Sequence, residues 1–443
     1  MKRAIIIFTR VPIPGQTKTR MMSALTGEQC AKLHGCFLQD IRKQCEKTEA
    51  DIFVAYTPED TDGKLHSLLG DQKEYFEQVG VDLGERMYAA FEKVFSYGYE
   101  HCLLIGTDIP ELKSQYLKQA FEQLETNDVV FGRTSDGGYY LVGMKTPRNE
   151  VFNIPSYGHS DVWENTLEHL KKSNLSVGYT TSLDDMDTPD DLQKYYEHML
   201  RDKELQESAT GRFVMENRKI SIIIPIYNEE TTIRELQTQL QSLKGKCEII
   251  FVDGGSTDRT LEMIDSEFII IRSERGRAKQ MNVGAQASTG DILFFLHCDS
   301  ELPKDALEEI RQVMKTHLTG CFGIAFHSKN FFMLTCSVIS NHRAKHRKIM
   351  FGDQGIFIDR RLFFEIGMYP EIPIQEDYQL SLSLKARNIK PGMCKHRIYT
   401  SDRRFPKGTL PKLKEMLKMH RLRKMYRDGV EIQEISDLYP NIR

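Results

Sequence analysis

The chain lacks the sequence features of several large protein classes. None of its apolar runs approaches the roughly 18 residues of a membrane-spanning helix, and 330–339 comes nearest. The nine cysteines are irregularly placed, without CxxC or Cys/His finger spacing, which predicts reduced thiols and no disulfide framework. The apolar residues of Met1–Phe8 are too few for a signal peptide and predict a first strand. Together these features predict a soluble protein in the cytoplasm.

Strong charge of one sign is also missing. The formal net charge of the 443 residues is -3, so no overall field attracts nucleic acid. No basic face interleaved with aromatic residues is present either, and we expect no nucleic-acid partner. The composition, 40% hydrophobic and 28% charged, is that of an ordinary globular protein. A chain of this length predicts two domains, because single cores stop growing below this size.

Two apolar runs, one in each half, are followed by an aspartate. Cys102–Ile105 leads to Asp108, and Ile292–Leu296 leads to Asp299. Such runs predict strands buried on both faces, as in a parallel α/β sheet. A carboxylate at the carboxyl edge of that sheet can hold a divalent cation against a diphosphate. The alternative is that each aspartate caps the next helix.

Both halves alternate strand-like and helix-like segments. This alternation predicts an α/β fold with a doubly wound, mostly parallel sheet in each half. Residues 206–218 are charged and polar without a sustained apolar period, and we interpret them as a linker. The predicted domains are therefore 1–205 and 219–443.

Three polar motifs of the second half point to nucleotide chemistry. Ser221–Glu230 is a strand that enters a polar turn, and Phe251–Asp258 ends the next strand in Asp253 and two glycines. Glycines allow a ribose or base to approach the backbone, and Asp253 can accept hydrogen bonds from either. Gln375–Tyr378 contributes two adjacent acids. Individually, Asp-Gly-Gly is also a common turn, and an acidic pair also suits a helix start.

The second half resembles the family 2 glycosyltransferases, which have the nucleotide-sugar-binding GT-A fold. The resemblance covers 219–443 and is closest to a bacterial subgroup named for arsenosugar biosynthesis. The residues that carry it, beside Gln375–Asp377, are Val252–Asp258, Arg275–Asn282, Phe295–Asp299, Gly352–Phe357 and Thr400–Arg404.

The resemblance implies an inverting, metal-dependent transfer. Asp377 is the expected general base for the acceptor, and Asp299 is the expected ligand of Mg²⁺ or Mn²⁺, as the last residue of a DXD-type motif. His297 stands at the first position of that motif, so the site has one carboxylate fewer. We predict substrate or nucleotide contacts at Pro225, Tyr227, Glu229, Asp253, Arg277, Gln280, Asp353, Gln354, Glu376, Arg403 and Arg404. The arginines would neutralise the departing diphosphate.

The first half carries a phosphate-binding pattern of its own. The loop Arg10–Arg20 contains a glycine, Lys18 and Arg20, which suit phosphate oxygens, although it lacks P-loop spacing. A solvated basic loop is the alternative. Asp136 stands beside two glycines and fits a ligand contact or a hairpin turn equally well.

Residues 1–199 resemble a DUF2064-type family that shares its fold with phospholactate guanylyltransferase and molybdenum-cofactor nucleotidyltransferases. The resemblance implies that Lys18 and Arg20 hold a triphosphate and that Asp108 and Asp187 hold the metal. It leaves open whether this half activates a sugar phosphate, transfers a sugar or has lost activity. We also count Asp136 among the predicted substrate or nucleotide contacts.

We therefore expect a glycosyltransferase with a nucleotide-sugar donor and a small-molecule or lipid acceptor, whose first half binds or makes the activated sugar. The alternative is a nucleotidyltransferase that forms a nucleotide-diphospho compound, with the second half only binding nucleotide-sugar. The basic C-terminal stretch 410–426 has an amphipathic pattern that predicts packing on its own domain. Peripheral contact with an anionic membrane is the alternative. The basic run 342–348 suits a lid or a solvated loop.

Overall fold

The fold is given by a computed structural model that describes residues 2–152, 162–328, 330–401 and 409–439. The chain divides between Val214 and Met215 into two compact units. Each unit contains one large sheet. None of the described helices is long and apolar enough to cross a membrane.

The first unit is built on a seven-stranded sheet. Its strands are β1 (Arg3–Arg10), β2 (Asp51–Thr57), β3 (Glu74–Glu77), β4 (His101–Gly106), β5 (Val129–Arg133), β6 (Tyr139–Met144) and β7 (Val177–Tyr179). Its helices are α1 (Gly27–Glu46), α2 (Lys64–Leu69), α3 (Leu83–Phe95), α4 (Ser114–Thr126), α5 (Val162–Lys172), α6 (Pro189–Met199) and α7 (Lys203–Glu207), and α8 (Ala209–Asn217) spans the division.

The sheet order is β3-β2-β1-β4-β6-β5-β7, with β6 antiparallel to both of its neighbours and the other pairs parallel. Ala4–Ile7 of β1 are all buried, and successive residues belong to different core clusters, because side chains alternate between the faces of a strand. Helices therefore cover both faces, as the continuous apolar runs predict.

The predicted linker 206–218 is helical and not extended. The Asp40 carboxylate accepts the backbone N–H groups of Ala209 and Thr210, both at 2.8 Å, and so satisfies the first turn of α8. Phe213 and Val214 are buried. The helix is hard to recognise in the sequence because it is short and is capped by a side chain 169 positions away.

The second unit is built on an eight-stranded sheet. Its strands are β8 (Ile220–Ile226), β9 (Glu248–Asp253), β10 (Ile269–Arg272), β11 (Ile292–Phe295), β12 (Ser300–Glu301), β13 (Thr319–Ala325), β14 (Ile356–Asp359) and β15 (Gly392–Thr400). Its further helices are α9 (Ile233–Gln241), α10 (Arg277–Ala287), α11 (Ala306–Met314), α12 (Phe331–His342), α13 (Arg360–Glu365), α14 (Glu376–Ala386), α15 (Thr409–Arg427) and α16 (Ile432–Asp437).

The sheet order of this unit is β10-β9-β8-β11-β14-β13-β15-β12. The pairs from β10 to β11 are parallel, so the ends of β8, β9 and β11 share one edge. Pro225 lies in β8 beyond its last pairing with β11, which ends at Ile223, so the missing N–H of proline interrupts no ladder there. The shared edge positions the candidate site.

The C-terminal helix packs on its own unit. Leu422 of α15 is buried in a small cluster with Ile374 and Ile435. Packing on its own domain, the first of the two interpretations of stretch 410–426, therefore holds for Leu422, with Met419, Met425 and Tyr426 partly buried beside it.

Candidate active site

Asp253, at the end of β9, shapes the loop that follows it. Its carboxylate accepts N–H bonds from Gly255 at 3.1 Å and Ser256 at 3.0 Å, and the residue is 2% exposed. A carboxylate with two backbone donors still has acceptor sites for a ribose or base hydroxyl or amine. The predicted nucleoside contact thus lies at the edge where β8 and β9 end.

Gln280 of α10 links the ends of β8 and β9 at this edge. Its side-chain amide donates to the carbonyls of Ile226 at 2.7 Å and Val252 at 2.8 Å, one at the end of each strand. An added Cβ on Gly254 would lie 3.0 Å from the Gln280 amide, so the glycine leaves room for that side chain. Gln280 was predicted to contact nucleotide, but its N–H groups are engaged by backbone, so we assign it a positioning role.

The turn after β8 brings Tyr227 and Glu229 to the same edge. The Arg275 guanidinium lies 4.3 Å from the centre of the Tyr227 ring. Glu229 is buried, and its carboxylate accepts the Thr232 hydroxyl at 2.8 Å. Tyr227 is therefore part of a cation–aromatic pair, while Glu229 supports the turn.

Asp377, near the start of α14, is held beside the end of β11. Its Oδ2 accepts the Gly352 N–H at 2.8 Å, and its Oδ1 accepts the N–H of Tyr378 at 2.7 Å. A Cβ on Gly352 would lie 2.7 Å from His297 Nε2 and 3.6 Å from Asp377 Oδ2. The His297 imidazole, Gly352 and the half-buried Asp377 carboxylate therefore lie close together, although His297 and Asp377 are 80 residues apart in the sequence.

Glu376 and Arg277 form an ion pair at this region. Arg277 Nη1 lies 3.3 Å from Glu376 Oε1, and the Glu376 side chain is 6% exposed. Burial raises the pKa of Glu376, while the Arg277 charge opposes the rise. Arg277 keeps a partly exposed side chain and so can also reach a bound anion.

A stack of two arginines on Phe351 was not predicted. The guanidinium of Arg343 lies 4.0 Å and that of Arg423 5.7 Å from the centre of the Phe351 ring. Burial lowers the pKa of both, and Arg423 lowers that of Arg343 further. The carboxylates of Asp353 and Asp377 are the opposite charges that act on Arg343, so two cations meet near Asp377. The sequence signal was only that each lies in a basic stretch.

The remaining predicted positions fall into three groups. Gln354 is fully buried; its Oε1 accepts the Phe351 N–H at 3.2 Å and its Nε2 donates to Phe322 O at 3.4 Å, so it supports the turn. Asp299 and Asp353 are partly exposed, as ligand-binding carboxylates need to be. Arg403 and Arg404 lie outside the described residues.

The donor set at Asp299 fits a metal only in part. Across the described ranges, no group of three or more His, Cys, Asp or Glu side chains is arranged to hold an ion. Mg²⁺ is commonly held by one or two carboxylates together with substrate phosphates and water. Asp299, with a diphosphate supplying the other oxygens, is compatible with that mode.

In the first unit Lys18 joins the two predicted metal ligands. Its ammonium lies 2.6 Å from Asp108 Oδ1 and 2.7 Å from Asp187 Oδ1, and the side chain is 4% exposed. It also donates to Met186 O at 2.7 Å. The residues predicted from the sequence are brought together, but the ammonium stands where a cation would bind. With the Lys18 ammonium between them, Asp108 and Asp187 do not fit a metal ion.

A histidine that the sequence did not suggest completes this cluster. His34 Nε2 lies 3.2 Å from Thr9 Oγ1, and Thr9 Oγ1 lies 3.1 Å from Thr107 Oγ1. Its Nδ1 lies 3.8 Å from Asp108 Oδ1. Burial lowers the pKa of His34, so the imidazole is neutral near pH 7.

The cluster borders a cavity of about 500 Å³. The charged and hydroxyl side chains of its lining include Arg10, Thr17, Lys18, Arg20, Arg86 and Asp108. The size is that of a small-molecule site, and the cations suit an anionic ligand. Asp136 is not in the lining; it accepts the Thr134 hydroxyl and the Gly138 N–H, and so closes the β5–β6 turn.

Two family models match the chain, one in each of its two units. The model for glycosyl transferase family 2 matches residues 221–360. This match lies wholly within the second unit. The model for an uncharacterized protein conserved in bacteria, DUF2064, matches residues 40–159. We refer below to the second unit as the family 2 unit and to the first as the DUF2064 unit.

Curated proteins are also similar to parts of this chain. A Haemophilus influenzae protein named an uncharacterized glycosyltransferase is 29% identical over 182 residues, which are 37% of this chain and 61% of that protein. The chain spans less than two thirds of the curated relatives that it matches first.

Two solved structures are also similar. A candidate nucleotide-diphospho-sugar transferase from Desulfovibrio desulfuricans G20 is 32% identical, covering 49% of this chain and 96% of that chain, with a TM-score of 0.47. Glucosyl-3-phosphoglycerate synthase from Mycobacterium tuberculosis, solved with Mn²⁺ and UDP, is 19% identical, covering 49% of this chain and 84% of that chain, with a TM-score of 0.37.

Proposed function

We propose that the family 2 unit transfers a sugar from a nucleotide-sugar donor to an acceptor hydroxyl. The observation that carries the proposal is the placement of Asp377. Its carboxylate is fixed by the Gly352 N–H beside His297, at the edge that also bears Asp253. A fixed, partly exposed carboxylate next to a nucleotide-type loop is suited to deprotonating an acceptor.

Each group has a defined role in this proposal. Asp253 and Tyr227 bind the nucleoside, and Asp299 is the residue that would hold Mg²⁺ or Mn²⁺ beside the donor phosphates. A divalent ion there would supply positive charge to the diphosphate. Arg277, Arg343 and Arg423 add further charge where negative charge develops as the sugar–phosphate bond breaks.

The proposed reaction is a single displacement. Asp377 takes the acceptor proton as the hydroxyl oxygen attacks the anomeric carbon, and the diphosphate leaves from the opposite face. One displacement inverts the configuration at that carbon. The acceptor is a small molecule or a lipid with a free hydroxyl.

A donor screen tests the proposal. Thermal unfolding of the full chain is measured with UDP-, GDP-, CDP-, ADP- and dTDP-sugars, with and without Mn²⁺ or Mg²⁺. A true donor at about 100 times its dissociation constant stabilises the folded unit by about 2.7 kcal/mol. Stabilisation by one nucleotide class, strengthened by metal, is expected. The absence of a shift with every donor and metal contradicts the proposal.

For the DUF2064 unit we propose binding of a nucleotide or sugar phosphate in its cavity. The cations of the lining support an anionic ligand, whereas the Lys18 ammonium between Asp108 and Asp187 gives no support to metal-assisted nucleotidyl transfer. An assay of pyrophosphate release from nucleoside triphosphates and sugar phosphates by the full chain distinguishes the binding role from nucleotidyl transfer. Turnover that is lost in Lys18→Gln favours the nucleotidyltransferase alternative, and binding without turnover favours the binding role.

A further inference from the structure

Helix α12 of the family 2 unit is amphipathic, but its polar face packs on the sheet and its apolar face is exposed. Its polar side chains attach it to β13: the Ser337 hydroxyl donates to Ile324 O at 2.6 Å, and the Asn341 amide accepts the Ile324 N–H at 2.8 Å and donates to Ile324 O at 3.1 Å. Polar residues usually face solvent on a surface helix. Here they face the parent sheet.

The large apolar residues of the same helix face outward. Phe331 is 72%, Leu334 52% and Val338 63% exposed, and Ile339 is 53% exposed. Positions 331, 334 and 338 share one helical face, so these side chains form a stripe and are not scattered. We call these four residues the apolar stripe. Contiguous exposed apolar surface on a soluble domain marks a site of interaction.

A strongly cationic segment follows the stripe. Residues 342–348 contain Arg343, Lys345, Arg347 and Lys348, and no Asp or Glu occurs between Asn330 and Gly352. Lys345 and Arg347 are exposed in a π-helical turn. Apolar side chains flanked by cations without acids match the surface of an anionic bilayer, where acyl chains lie beneath negative headgroups.

A neighbouring helix also combines exposed apolar and basic side chains. Helix α15 contacts α12. Its exposed positions Lys414, Leu417, Arg421 and Lys424 follow helical spacing, and Leu417 is 61% exposed. Helix α15, which is anchored to the unit through Leu422, therefore adds exposed cations on a helix that contacts α12.

We propose that α12 is a membrane-docking surface: the apolar stripe enters the headgroup region of an anionic bilayer, and the exposed basic residues of 342–348 and α15 contact the lipid phosphates. These include Lys345, Arg347, Lys414, Arg421 and Lys424. A second copy of the chain is a poorer occupant, because self-association through the stripe would bring two basic segments together. The surface does not depend on the glycosyltransferase proposal, since neither the stripe nor the exposed lysines belong to the Asp377 region.

Vesicle sedimentation of the full chain tests this surface. The vesicles are pure phosphatidylcholine or phosphatidylcholine with roughly 30% phosphatidylglycerol. We expect sedimentation with the anionic vesicles alone, weakened at about 0.5 M NaCl because salt screens the headgroup charge. Leu334→Glu or Val338→Glu should reduce the partition coefficient by about tenfold or more, since a carboxylate then faces the headgroups. Lys345→Glu should weaken binding in a salt-dependent manner.

Val81→Glu is the matched control. Val81 is 90% exposed in the other unit, and its substitution should leave binding unchanged. Thermal unfolding verifies that each variant is folded. The proposal is overturned if the wild type does not sediment with anionic vesicles, or if Val338→Glu binds as well as Val81→Glu. It is also overturned if ultracentrifugation finds a dimer that Val338→Glu abolishes while lipid binding is absent.

Discussion

At the scale of single residues, the site separates side chains that can meet a ligand from those that hold the loops. Gln280 and Gln354 are buried with their amides bonded to backbone, whereas Asp377 and Asp299 remain partly exposed. The two glutamines and the two aspartates all belong to motif segments. Their burial, which the motif does not show, gives them different tasks.

Asp377→Asn is the direct test of the proposed base. An amide cannot accept the acceptor proton, and it keeps the size of the carboxylate. We expect kcat for release of the nucleoside diphosphate in the presence of acceptor to fall by about 10²–10⁴-fold, with donor binding nearly unchanged. Asp428→Asn, at an exposed position after α15, is the matched control. Near-wild-type transfer by Asp377→Asn would refute the assignment.

Asp185 provides a pH-dependent prediction for the DUF2064 unit. Burial, with Asp136 and Asp187 nearby, raises the pKa of Asp185 to about 6. The folded state thus binds the proton more tightly than the unfolded state, so this contribution is complete below about pH 4 and is lost as pH rises through about 6. Asp185→Asn should therefore raise the midpoint of thermal unfolding at pH 7.5 and change it little at pH 4. An equal effect at both values would contradict the shift.

At the scale of elements, the close contact between the Gly352 turn and the segment after β11 is decisive. These elements meet because β11 pairs with β14, which follows the turn directly. Gly352 leaves just enough room for the His297 ring. The geometry of the candidate base therefore depends on the close approach of the Gly352 turn to the His297 ring.

Gly352→Ala should disturb this contact. The new Cβ would lie 2.7 Å from His297 Nε2, so the ring or the turn has to move. We expect a loss of about 1–3 kcal/mol in the free energy of unfolding, as for other overpacked sites. Urea unfolding measures it. In a His297→Ala background the same substitution should cost much less, and equal costs in both backgrounds would show that the contact is unimportant.

At the scale of the whole molecule, each unit has its own sheet and core clusters, and each collects its candidate residues where strands end. Parallel strands place their carboxyl ends on one side, and the following loops supply the functional groups. The fusion of the two units motivates the hypothesis that one unit binds or makes what the other consumes.

The integrity of the family 2 unit depends on a buried ion pair. Arg218, just before β8, lies 2.6 Å from Asp359 at the end of β14, and both side chains are at most 6% exposed. Asp359→Ala leaves a buried, uncompensated guanidinium and should destabilise the unit by roughly 3–5 kcal/mol in denaturant unfolding. The double variant Arg218→Met/Asp359→Leu should be less destabilised than Asp359→Ala. A double variant that is at least as unstable would contradict this explanation.

Much of the fold could be predicted from the sequence. The continuous apolar runs at β1, β4, β8 and β11 predicted buried parallel strands, because only a sheet covered on both faces accepts apolar residues at every position. The short helix α8 could not be recognised, since its cap, Asp40, belongs to a distant helix.

The sequence by itself determined the α/β class, the presence of two units and the acids that would lie at strand ends, since these follow from local periodicity. Only the tertiary structure decided that Lys18 lies between Asp108 and Asp187, that Arg343 and Arg423 meet on Phe351, and that the apolar residues of α12 face outward. Contacts between distant segments depend on how sheets and helices pack. Helical periodicity shows that a helix has an apolar face, but not whether that face is turned toward the core.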